Sequence, residues 1–354
     1  MRVVKLVSLG VLAALSACRL VAGIEDIQLT TDAGPPGKLP SVVFSRGNET
    51  IDEIISDGQY IYARTLTGIL RCPVAGCGST PELLVTIGSL ATINDMLLAG
   101  GDIYYAVAGT SVDNDGGLPV PANDGTIHVV GKDGKGDRVY KGGLADAVAL
   151  GSDATSLYWL DDPSALASTG TATASRCALT TCVTVQSLIT KVDTSLLASS
   201  DTTFFVRGAD LFVLAADGTT QAFYTCPTAT PCGAAPKKFA TGLQSDDEFF
   251  PDPQRLFYGT AKGDVGFLGA NGMKTALAGG QPAATSVIAD ANFVYFTTPS
   301  TGTVLRLANT GTPATPGPFA MQQPSASHLA QDPTSVYWVV DTGTGGNSVL
   351  RLAK

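Results

Sequence analysis

Cysteine is the residue type whose spacing points most directly to chemistry in this chain. Six of the seven cysteines form three local pairs: Cys72 with Cys77, Cys177 with Cys182, and Cys226 with Cys232. Neighbouring thiols can bind a metal, act as a redox pair or form a disulfide. None of the pairs is a C-x-x-C and no histidine lies near them in sequence, which disfavours zinc and thioredoxin-like chemistry. The pairs are therefore predicted to be disulfides if the protein is exported.

Acidic residues and histidines are the other candidates for chemistry. The stretch SVDNDGGLPVPANDG, residues 111–125, offers Asp113, Asp115 and Asp124 as oxygen ligands for a cation. It lacks the ordered spacing and the distal Glu of an EF-hand, and Asp-Gly-rich stretches usually form turns. No G-x-S-x-G, P-loop or H-E-x-x-H motif occurs in the mature chain. We therefore predict no metal site, no cofactor and no catalytic residue.

The amino terminus has the layout of a secretory signal. MRVVKLVSLGVLAALSAC contains Arg2 and Lys5, then an apolar run too short to span a bilayer, then small residues. Its last four residues, Leu15 to Cys18, resemble the lipobox of bacterial lipoproteins, in which the cysteine is diacylated. An ordinary cleaved signal with an incidental cysteine is the alternative. The resemblance implies that residues 1–17 are a signal peptide and that the lipid on Cys18 is the only membrane anchor.

The composition of the mature chain constrains its partners and its fold. Residues 18–40 are rich in Gly, Pro and Thr and are predicted to form a flexible tether, so the folded domain spans residues 41–354. Without Arg2 and Lys5, 20 basic residues face 31 acidic ones, a formal net charge of −11. Such a surface argues against a nucleic-acid partner. Forty glycines and twenty prolines predict short strands joined by turns.

An internal repeat predicts the fold. The segments DATSLYWLDD (153–162), DANFVYFTTP (290–299) and DPTSVYWVVD (332–341) share an Asp, turn-forming residues and an aromatic core, and weaker copies begin at residues 57, 100, 200 and 252. The intervals between successive anchors are 42, 54, 46, 53, 38 and 42 residues, the period of a four-stranded propeller blade. The sequence therefore predicts an all-β, seven-bladed β-propeller. The seven aromatic anchors are Tyr62, Tyr104, Tyr158, Phe204, Phe257, Tyr295 and Tyr337.

Most polar residues of the repeat have a structural explanation. In five copies an Asp precedes the aromatic anchor by five positions, where it is predicted to fix the turn between the first and second strands. These residues are Asp57, Asp153, Asp252, Asp290 and Asp332. A ring of cation-binding carboxylates is the functional alternative. Both tryptophans, Trp159 and Trp338, occupy one repeat position and are predicted to pack between blades.

A second register aligns four arginines on the third strand of their blades. They are Arg71, Arg176, Arg306 and Arg351, in GILRCP, TASRCA, TVLRLA and SVLRLA. Together they could line a groove for anions. Because a strand with alternating faces normally directs its Arg to solvent or to a neighbouring acid, we favour that role.

The ends of the chain predict how the ring closes. The seventh copy stops after its third strand, SVLRLA, so its blade lacks an outer strand. The segment SVVFSR, Ser41 to Arg46, is an isolated strand before the first blade's innermost strand, DEIISD. We predict that it completes the last blade, which removes an exposed edge.

The repeat resembles those of the YWTD and NHL-type β-propellers and of the propeller lipoproteins that many bacteria secrete. The resemblance covers residues 41–354, and the anchors here read YWLD, YWVV and YFTT in place of the YWTD tetrapeptide. It implies architecture, but fold alone does not identify a function.

The repeat also locates the candidate binding face. The stretches 111–125 and 161–175 interrupt blades 2 and 3 between the second and third strands, and these connections emerge on one face beside the channel mouth. Long loops on a rigid scaffold are common binding elements, although a variable insertion without a function is the alternative. The candidate residues are Asp113, Asp115, Asp124, Asp161, Asp162 and His328, the last on a predicted innermost strand. His128 is placed on a third strand, so the two histidines form no group.

Three function classes follow from this placement. The first is a lipid-anchored outer-membrane protein, periplasmic or surface-exposed, that binds a protein or glycan through the loops as a monomer. The second is a lyase or hydrolase with a site at the channel mouth, which would require converging polar side chains there. The third is a structural subunit of an envelope complex.

Each cysteine pair is predicted to bridge a blade's third strand to the turn before its fourth.

Overall fold

The computed structural model describes residues 39–47, 49–88, 91–112, 120–163, 171–195, 203–244, 247–343 and 346–354. Within these ranges, almost all regular structure is β-strand, and the strands form seven four-stranded antiparallel sheets plus one two-stranded hairpin. The predicted all-β seven-bladed propeller is therefore confirmed. Asp113 and Asp115, and Cys18 with the rest of the predicted signal and tether up to residue 38, lie outside the described residues.

The first three blades follow the chain from the inner to the outer strand. Blade 1 consists of β2 (Glu53–Ser56), β3 (Tyr60–Thr65), β4 (Gly68–Pro73) and β5 (Glu82–Thr86). Blade 2 consists of β6 (Ile93–Ala99), β7 (Asp102–Val107), β10 (Gly125–Gly131) and β11 (Arg138–Leu144). The hairpin of β8 (Ser111–Val112) and β9 (Val120–Pro121) interrupts it. Blade 3 consists of β12 (Ala147–Ser152), β13 (Ser156–Asp161), β14 (Ala172–Ala178) and β15 (Thr181–Val192).

The remaining blades repeat this order, and the last one includes the first strand of the chain. Blade 4 consists of β16 (Phe204–Arg207), β17 (Asp210–Asp217), β18 (Thr220–Pro227) and β19 (Lys237–Leu243). Blade 5 consists of β20 (Glu248–Pro251), β21 (Leu256–Gly259), β22 (Val265–Leu268) and β23 (Lys274–Ala278). Blade 6 consists of β24 (Val287–Ala289), β25 (Phe293–Thr298), β26 (Thr303–Ala308) and β27 (Gly317–Ala320). Blade 7 consists of β28 (Ser327–Gln331), β29 (Ser335–Asp341), β30 (Asn347–Ala353) and β1 (Ser41–Arg46).

The core is divided among the seven interfaces between neighbouring blades. Each interface has its own cluster of buried apolar side chains, because a second strand is covered by a blade on both sides and reads as a continuous apolar run. Trp159 lies between blades 2 and 3, and Trp338 lies between blades 6 and 7 beside Phe319. The predicted packing of both tryptophans is confirmed. The Trp338 indole also donates to Gln323 Oε1 at 3.0 Å.

The ring closes as the sequence predicts. Strand β1 pairs antiparallel with β30, from Ser41 opposite Arg351 to Arg46 opposite Asn347. The side-chain amide oxygen of Asn347 also accepts the backbone N–H of Ile51 at 2.7 Å, just before blade 1 begins. The two ends of the chain are thus joined in one sheet, which leaves no half-built blade at the seam.

Blade 4 differs from the predicted register. The repeat predicts Phe204 on a second strand, but it lies on the first strand, β16, and Phe212 on β17 occupies the anchor position. The prediction was wrong because the first strand of this blade has an aromatic pair of its own. Phe205 stacks on Phe212 with ring centroids 4.9 Å apart, so both strands of this hairpin carry the aromatic signal.

The repeated Asp forms the predicted turn in all five copies. Asp153 Oδ1, for example, accepts the backbone N–H groups of Thr155 at 2.7 Å and Ser156 at 2.8 Å. The same oxygen of the other four residues accepts at least the N–H two positions later. These carboxylates are part of the hairpins.

The aligned arginines pair locally. Arg71 pairs with Glu82 of its own blade, and Arg176 with Gln186 of its own blade. Arg351 donates to the carbonyl of Val74 in the next blade at 2.6 Å, and Arg306 lies over the rings of Phe293 and Phe319. The strand register is as predicted, and each described contact is within a blade or between neighbours.

All three cysteine pairs are disulfides that join the third strand to the turn before, or the start of, the fourth strand. Two of the bridged turns also pair with the preceding blade. The N–H of Cys77 donates to Val43 on β1, and the N–H of Cys232 donates to Leu188 on β15. In blade 3, the Tyr140 hydroxyl of the preceding blade contacts the bridged turn at Ala178. The disulfides therefore hold turns that link neighbouring blades.

Strand direction assigns the connections to two faces. We call the loop face the side that carries the connections between blades and those between second and third strands, including the described residues 108–112, 120–124, 162, 163 and 171. The turn face is the opposite side, with the Asp turns and the disulfide turns. Strand β1 begins at the turn face, because Ser41 lies opposite the end of β30. In the described residues, no helix is long and apolar enough to cross a membrane.

Candidate functional site

The blade 2 insertion rises from the loop face as an ordered stem. Strands β8 and β9 pair, and Asp124 fixes their base by accepting from the backbone N–H of Thr110 at 2.6 Å and from its hydroxyl at 2.7 Å. These hydrogen bonds hold the pKa of Asp124 below its usual value. Asp124 is exposed to solvent. It has a structural role at the stem and remains accessible to a partner.

The base of this stem is pressed against blade 3. A Cβ at Gly109 would lie 1.9 Å from the carbonyl oxygen of Ala145, so only glycine allows this approach of two backbones. The carboxylate of Asp146 accepts the N–H of Gly109 at 3.3 Å and the side-chain amide of Asn94 at 2.8 Å. The insertion is thereby tied to the connection between blades 2 and 3.

Three carboxylates meet at this connection. Asp161 Oδ1 accepts the N–H of Asp146 at 2.9 Å, and the N–H of Asp162 donates to the Asp146 carbonyl at 2.8 Å. Burial raises the pKa of Asp146 to about 6, and the charges of Asp162 and Asp161 add to this effect. Burial likewise raises the pKa of Asp161. Asp162 is buried and Asp161 is partly buried, so these two predicted site residues hold the seam between blades.

A second cluster lies at the loop-face end of the innermost strands, around Arg64. Its Nε donates to Glu53 Oε2 at 2.9 Å, and its Nη1 donates to the carbonyl of Ile93 at 2.8 Å. The Asp52 carboxylate is 3.9 Å from the same guanidinium. Three charged side chains thus lie close together here, and the Arg64–Glu53 pair is within hydrogen-bond distance.

Asp95 is the acid that links this cluster to blades 2 and 3. Its Oδ1 accepts the N–H of Met96 at 2.8 Å and its Oδ2 accepts the N–H of Leu150 at 2.6 Å. The charge of Glu53 acts on Asp95, so the two carboxyl groups are neighbours. Burial, together with the charge of Glu53, raises the pKa of Asp95 to about 8. Burial and the Glu53 charge therefore favour the protonated form of Asp95, close to the Arg64 cation.

His328 lies on the innermost strand of blade 7, as predicted. Its backbone is left-handed, with φ of 48°, at a register shift between Ser327 and Ala330. Solvent reaches His328, but surrounding protein atoms and the charge of Arg64 lower its pKa to about 4. The ring is therefore neutral at pH 7. His128, on β10, is instead stacked on Tyr105 with 5.0 Å between ring centroids.

Elsewhere around the channel mouth, on blade 6, the polar side chains are uncharged hydroxyls. On blade 6 the hydroxyls of Thr285 and Thr297 are 3.2 Å apart, and Ser286 Oγ accepts the N–H of Leu329 at 3.0 Å. Blades 1 to 3 contribute charged groups and blade 6 contributes hydroxyls. Among the described residues, no group of three or more His, Cys, Asp or Glu side chains is arranged to hold a metal ion.

The sequence analysis did not single out the groups on the loop face whose pKa values are most perturbed. Asp95, Glu53, Arg64 and Asp146 were not predicted, because the loop lengths drew attention to the insertions. A usable signal existed, since a charged residue at the start of an inner strand, as in INDMLLA of β6, breaks an otherwise apolar run.

Comparisons with known proteins show the fold and no more. No protein-family model and no curated protein matches the chain. A chain of the mitotic checkpoint complex is 10% identical, with a TM-score of 0.60 over 94% of this chain and 95% of that one. Streptogramin B lyase is 12% identical, with a TM-score of 0.59 over 90% and 97%. A prolyl endopeptidase is 13% identical, with a TM-score of 0.53. The match covers 87% of this chain and 50% of that one.

Proposed function

We propose that the protein is a lipid-anchored binding or scaffold protein of the bacterial outer membrane, whose loop face contacts a protein or a glycan. One observation carries this proposal: the stem of the blade 2 insertion, the buried acids of the seam between blades 2 and 3, and the Arg64 cluster all lie on the same face. A rigid, charged platform with projecting loops is suited to recognition. We also propose that the protein is related to the YWTD and NHL-type propellers, which its repeat resembles.

The disulfides and the position of strand β1 support secretion and anchoring. Three disulfides are typical of an extracellular or periplasmic protein. Strand β1 begins at the turn face, so a tether from a lipid on Cys18 would join the propeller there and leave the loop face open to a partner. Arg19 follows Cys18 in place of the Asp that resembles an inner-membrane retention signal, which favours the outer membrane.

Site-specific photo-cross-linking in living cells tests the binding face. A photoreactive phenylalanine analogue would replace Val120 on β9 in the full chain, with Met273 on the turn face as the matched control. Both residues are apolar and exposed to solvent, Val120 to 40% and Met273 to 66%. We expect discrete adducts from position 120 that Asp124→Asn weakens, and none from position 273. Adducts from the turn face alone, or none from position 120, would overturn the proposal.

An enzyme is the second candidate, and the pairing of Glu53 with Asp95 favours it. Two neighbouring carboxyl groups with raised pKa values, beside a cation, are suited to general acid–base catalysis of hydrolysis or elimination. The test is degradation of envelope polysaccharides by the exported protein, followed by new reducing ends and by absorbance of unsaturated products. Activity that Glu53→Gln abolishes, while Asp124→Asn retains it, would support an enzyme. Equal turnover by wild type and Glu53→Gln would exclude this site.

A further inference from the structure

Strand β1 is held by the chain differently from the other outer strands. It belongs to blade 7 through its pairing with β30, yet the chain continues from it into blade 1. The described residues before it, 39 and 40, belong to no strand. The other six outer strands are each linked by the chain to a strand at both ends. Strand β1 can therefore leave its sheet while every other strand stays in place, and its release would open the ring between blades 7 and 1.

The disulfide turn of blade 1 holds the second edge of β1. The N–H of Cys77 donates to the carbonyl of Val43 at 2.9 Å, and the N–H of Ser45 donates to the carbonyl of Gly78 at 3.1 Å. A Cβ at Gly76, whose φ is 106°, would lie 3.3 Å from the same Val43 oxygen, so glycine permits this approach. The turn thus binds the backbone of the strand that closes the ring.

The Cys72–Cys77 bridge fixes the shape of this turn and lies in the core beside β1. Cys72 is fully buried, together with Val43 and Phe44, in the apolar cluster between blades 7 and 1. Its Sγ is 3.6 Å from the carbonyl oxygen of Val43. Cys77 is only partly buried, so solvent reaches it. The bridge therefore joins a buried cysteine that contacts β1 to one at the surface.

We infer that the Cys72–Cys77 disulfide is a redox latch for the ring, which keeps β1 closed when it is oxidised and lets β1 open when it is reduced. With the bridge intact, the turn keeps its shape while β1 is away, and the donor of Cys77 and the acceptor of Gly78 stay in position. Without the bridge, the turn must be ordered each time β1 docks, and this entropy cost lowers the closed population. Ring closure is thereby coupled to an oxidising compartment.

Opening the latch requires a dithiol as the reductant. One thiolate of the dithiol attacks Sγ of Cys77, the S–S bond breaks, and Cys72 leaves as a thiolate that takes up a proton. The second thiol of the reductant then attacks the mixed disulfide, Cys77 is released in the same way, and the dithiol becomes a disulfide. Two electrons and two protons pass to the protein, and oxidation reverses both steps.

The other two bridges do not control a strand of this kind. The blade 4 bridge holds a turn that binds Leu188 on β15, and the blade 3 bridge holds a turn that contacts Tyr140 on β11. Both of these strands are linked by the chain to a neighbouring strand at each end. Reduction can loosen such a contact, but it cannot release the strand. The latch is thus specific to blade 1, and it does not depend on a partner at the loop face.

Hydrogen exchange of the purified full chain, read on the peptide that contains β1, tests the latch. Cys72→Ser combined with Cys77→Ser should raise exchange in β1 at least about tenfold and leave β15 unchanged. The matched control, Cys226→Ser combined with Cys232→Ser, removes the blade 4 bridge and should leave β1 protected. Dithiothreitol should raise exchange in β1 of the wild type, and it should cause no further rise in the variant without the latch.

A cross-link between β1 and β30 checks that the latch acts through this strand. Ser45 and Ser348 are paired residues whose hydroxyls are 2.7 Å apart, so cysteines there are placed to form a bridge. Adding Ser45→Cys and Ser348→Cys to the variant without the latch should return exchange in β1 to within about twofold of wild type. An unchanged β1 in the variant without the latch, a rise shared equally by β15, or a rise that remains with the cross-link would overturn the inference. Failure of the cross-link to form would contradict the docking of β1 on which the latch depends.

Discussion

The hydroxyl of Tyr158 donates a 2.6 Å hydrogen bond to Oδ2 of Asp153, while Oδ1 of the same carboxylate holds the turn. Tyr337 and Asp332 repeat the arrangement at 2.6 Å. Burial acts to raise the pKa of both Asp residues, but the tyrosine hydroxyl and the backbone N–H groups outweigh it and lower the pKa. The Asp of the repeat therefore links its turn to the buried anchor five residues later.

Removing this hydroxyl should destabilise the hairpin. For Tyr158→Phe we expect a loss of about 1.5 kcal/mol in the free energy of unfolding, since the acceptor is charged. Tyr295→Phe is the matched control, because Asp290 Oδ2 binds Lys354 at 2.9 Å and, among the described residues, the Tyr295 hydroxyl makes no close hydrogen bond like that of Tyr158 to Asp153. Urea unfolding at pH 7 compares the two variants, and an equal loss from both would refute the role of the Asp–Tyr pair.

The low pKa of these turn carboxylates predicts how acid affects the fold. A carboxyl group whose pKa is lower in the folded state stabilises the protein above its unfolded pKa of about 3.9, and this contribution is lost as pH falls through the folded pKa. Asp332→Asn should therefore be less stable than wild type at pH 7, and the difference should shrink below pH 4. Thermal unfolding from pH 2 to 7 measures it. A difference that is constant with pH would contradict the role of the charge.

Asp95 predicts the opposite dependence. Its folded pKa of about 8 lies above the unfolded value, so between about pH 4 and 8 the folded state binds more protons and stability falls as pH rises. Glu53→Gln removes the neighbouring charge and offers an amide donor to Asp95. We expect the pKa of Asp95 to fall by at least about 1 unit and the stability to depend less on pH.

Carbon-13 NMR of the labelled Asp side chains across pH 4–9 follows this titration directly. Asp52→Asn is the control, because Asp52 lies 3.9 Å from Arg64 and does not contact Asp95 in the described contacts. The pKa of Asp95 should change much less in this variant. A pKa of Asp95 that stays near 8 in Glu53→Gln would show that burial alone raises it.

The disulfides should stabilise turns that connect blades. Replacing Cys226 and Cys232 by Ser is expected to cost about 2 kcal/mol, the chain-entropy value for so short a loop. The backbone pairing of the turn with Leu188 should weaken too. Hydrogen exchange of the Thr190 amide and of the amide at position 232 reports on this contact in wild type and variant, with Cys77 as the internal control. Unchanged exchange at both amides would show that the turn holds without its bridge.

Much of the fold was predictable because its signals are local. An Asp that fixes a turn and an aromatic residue on the next strand recur at blade spacing, so the repeat indicates the strands around Tyr158 and Tyr337 directly. Blade 4 was misregistered because Phe204 and Phe212 carry the same signal on adjacent strands. The ring closure was predictable from an unpaired strand and a missing one.

The site was less predictable, because it depends on contacts between distant blades. Glu53 and Asp95 are 42 positions apart, and nothing in either segment shows that the charge of Glu53 acts on Asp95. The raised pKa of Asp146 likewise depends on its burial at the seam between blades 2 and 3 and on the charges of Asp162 and Asp161. Sequence periodicity indicates which strands are neighbours, but the charge balance of a buried cluster is set by the three-dimensional arrangement.

Lipidation of Cys18 is the prediction that decides where the protein works. If the lipobox resemblance is correct, metabolic labelling with an alkyne fatty acid should label the wild-type chain, and Cys18→Ala should abolish the label because no acyl acceptor remains. In cell fractionation, the wild-type protein should be found in the outer membrane and the Cys18→Ala protein in a soluble fraction. Cys226→Ser is the matched control, since it removes a thiol without touching the leader, and should keep the label. A labelled Cys18→Ala protein, or a wild type without label in the soluble fraction, would contradict the anchor and leave an ordinary cleaved signal.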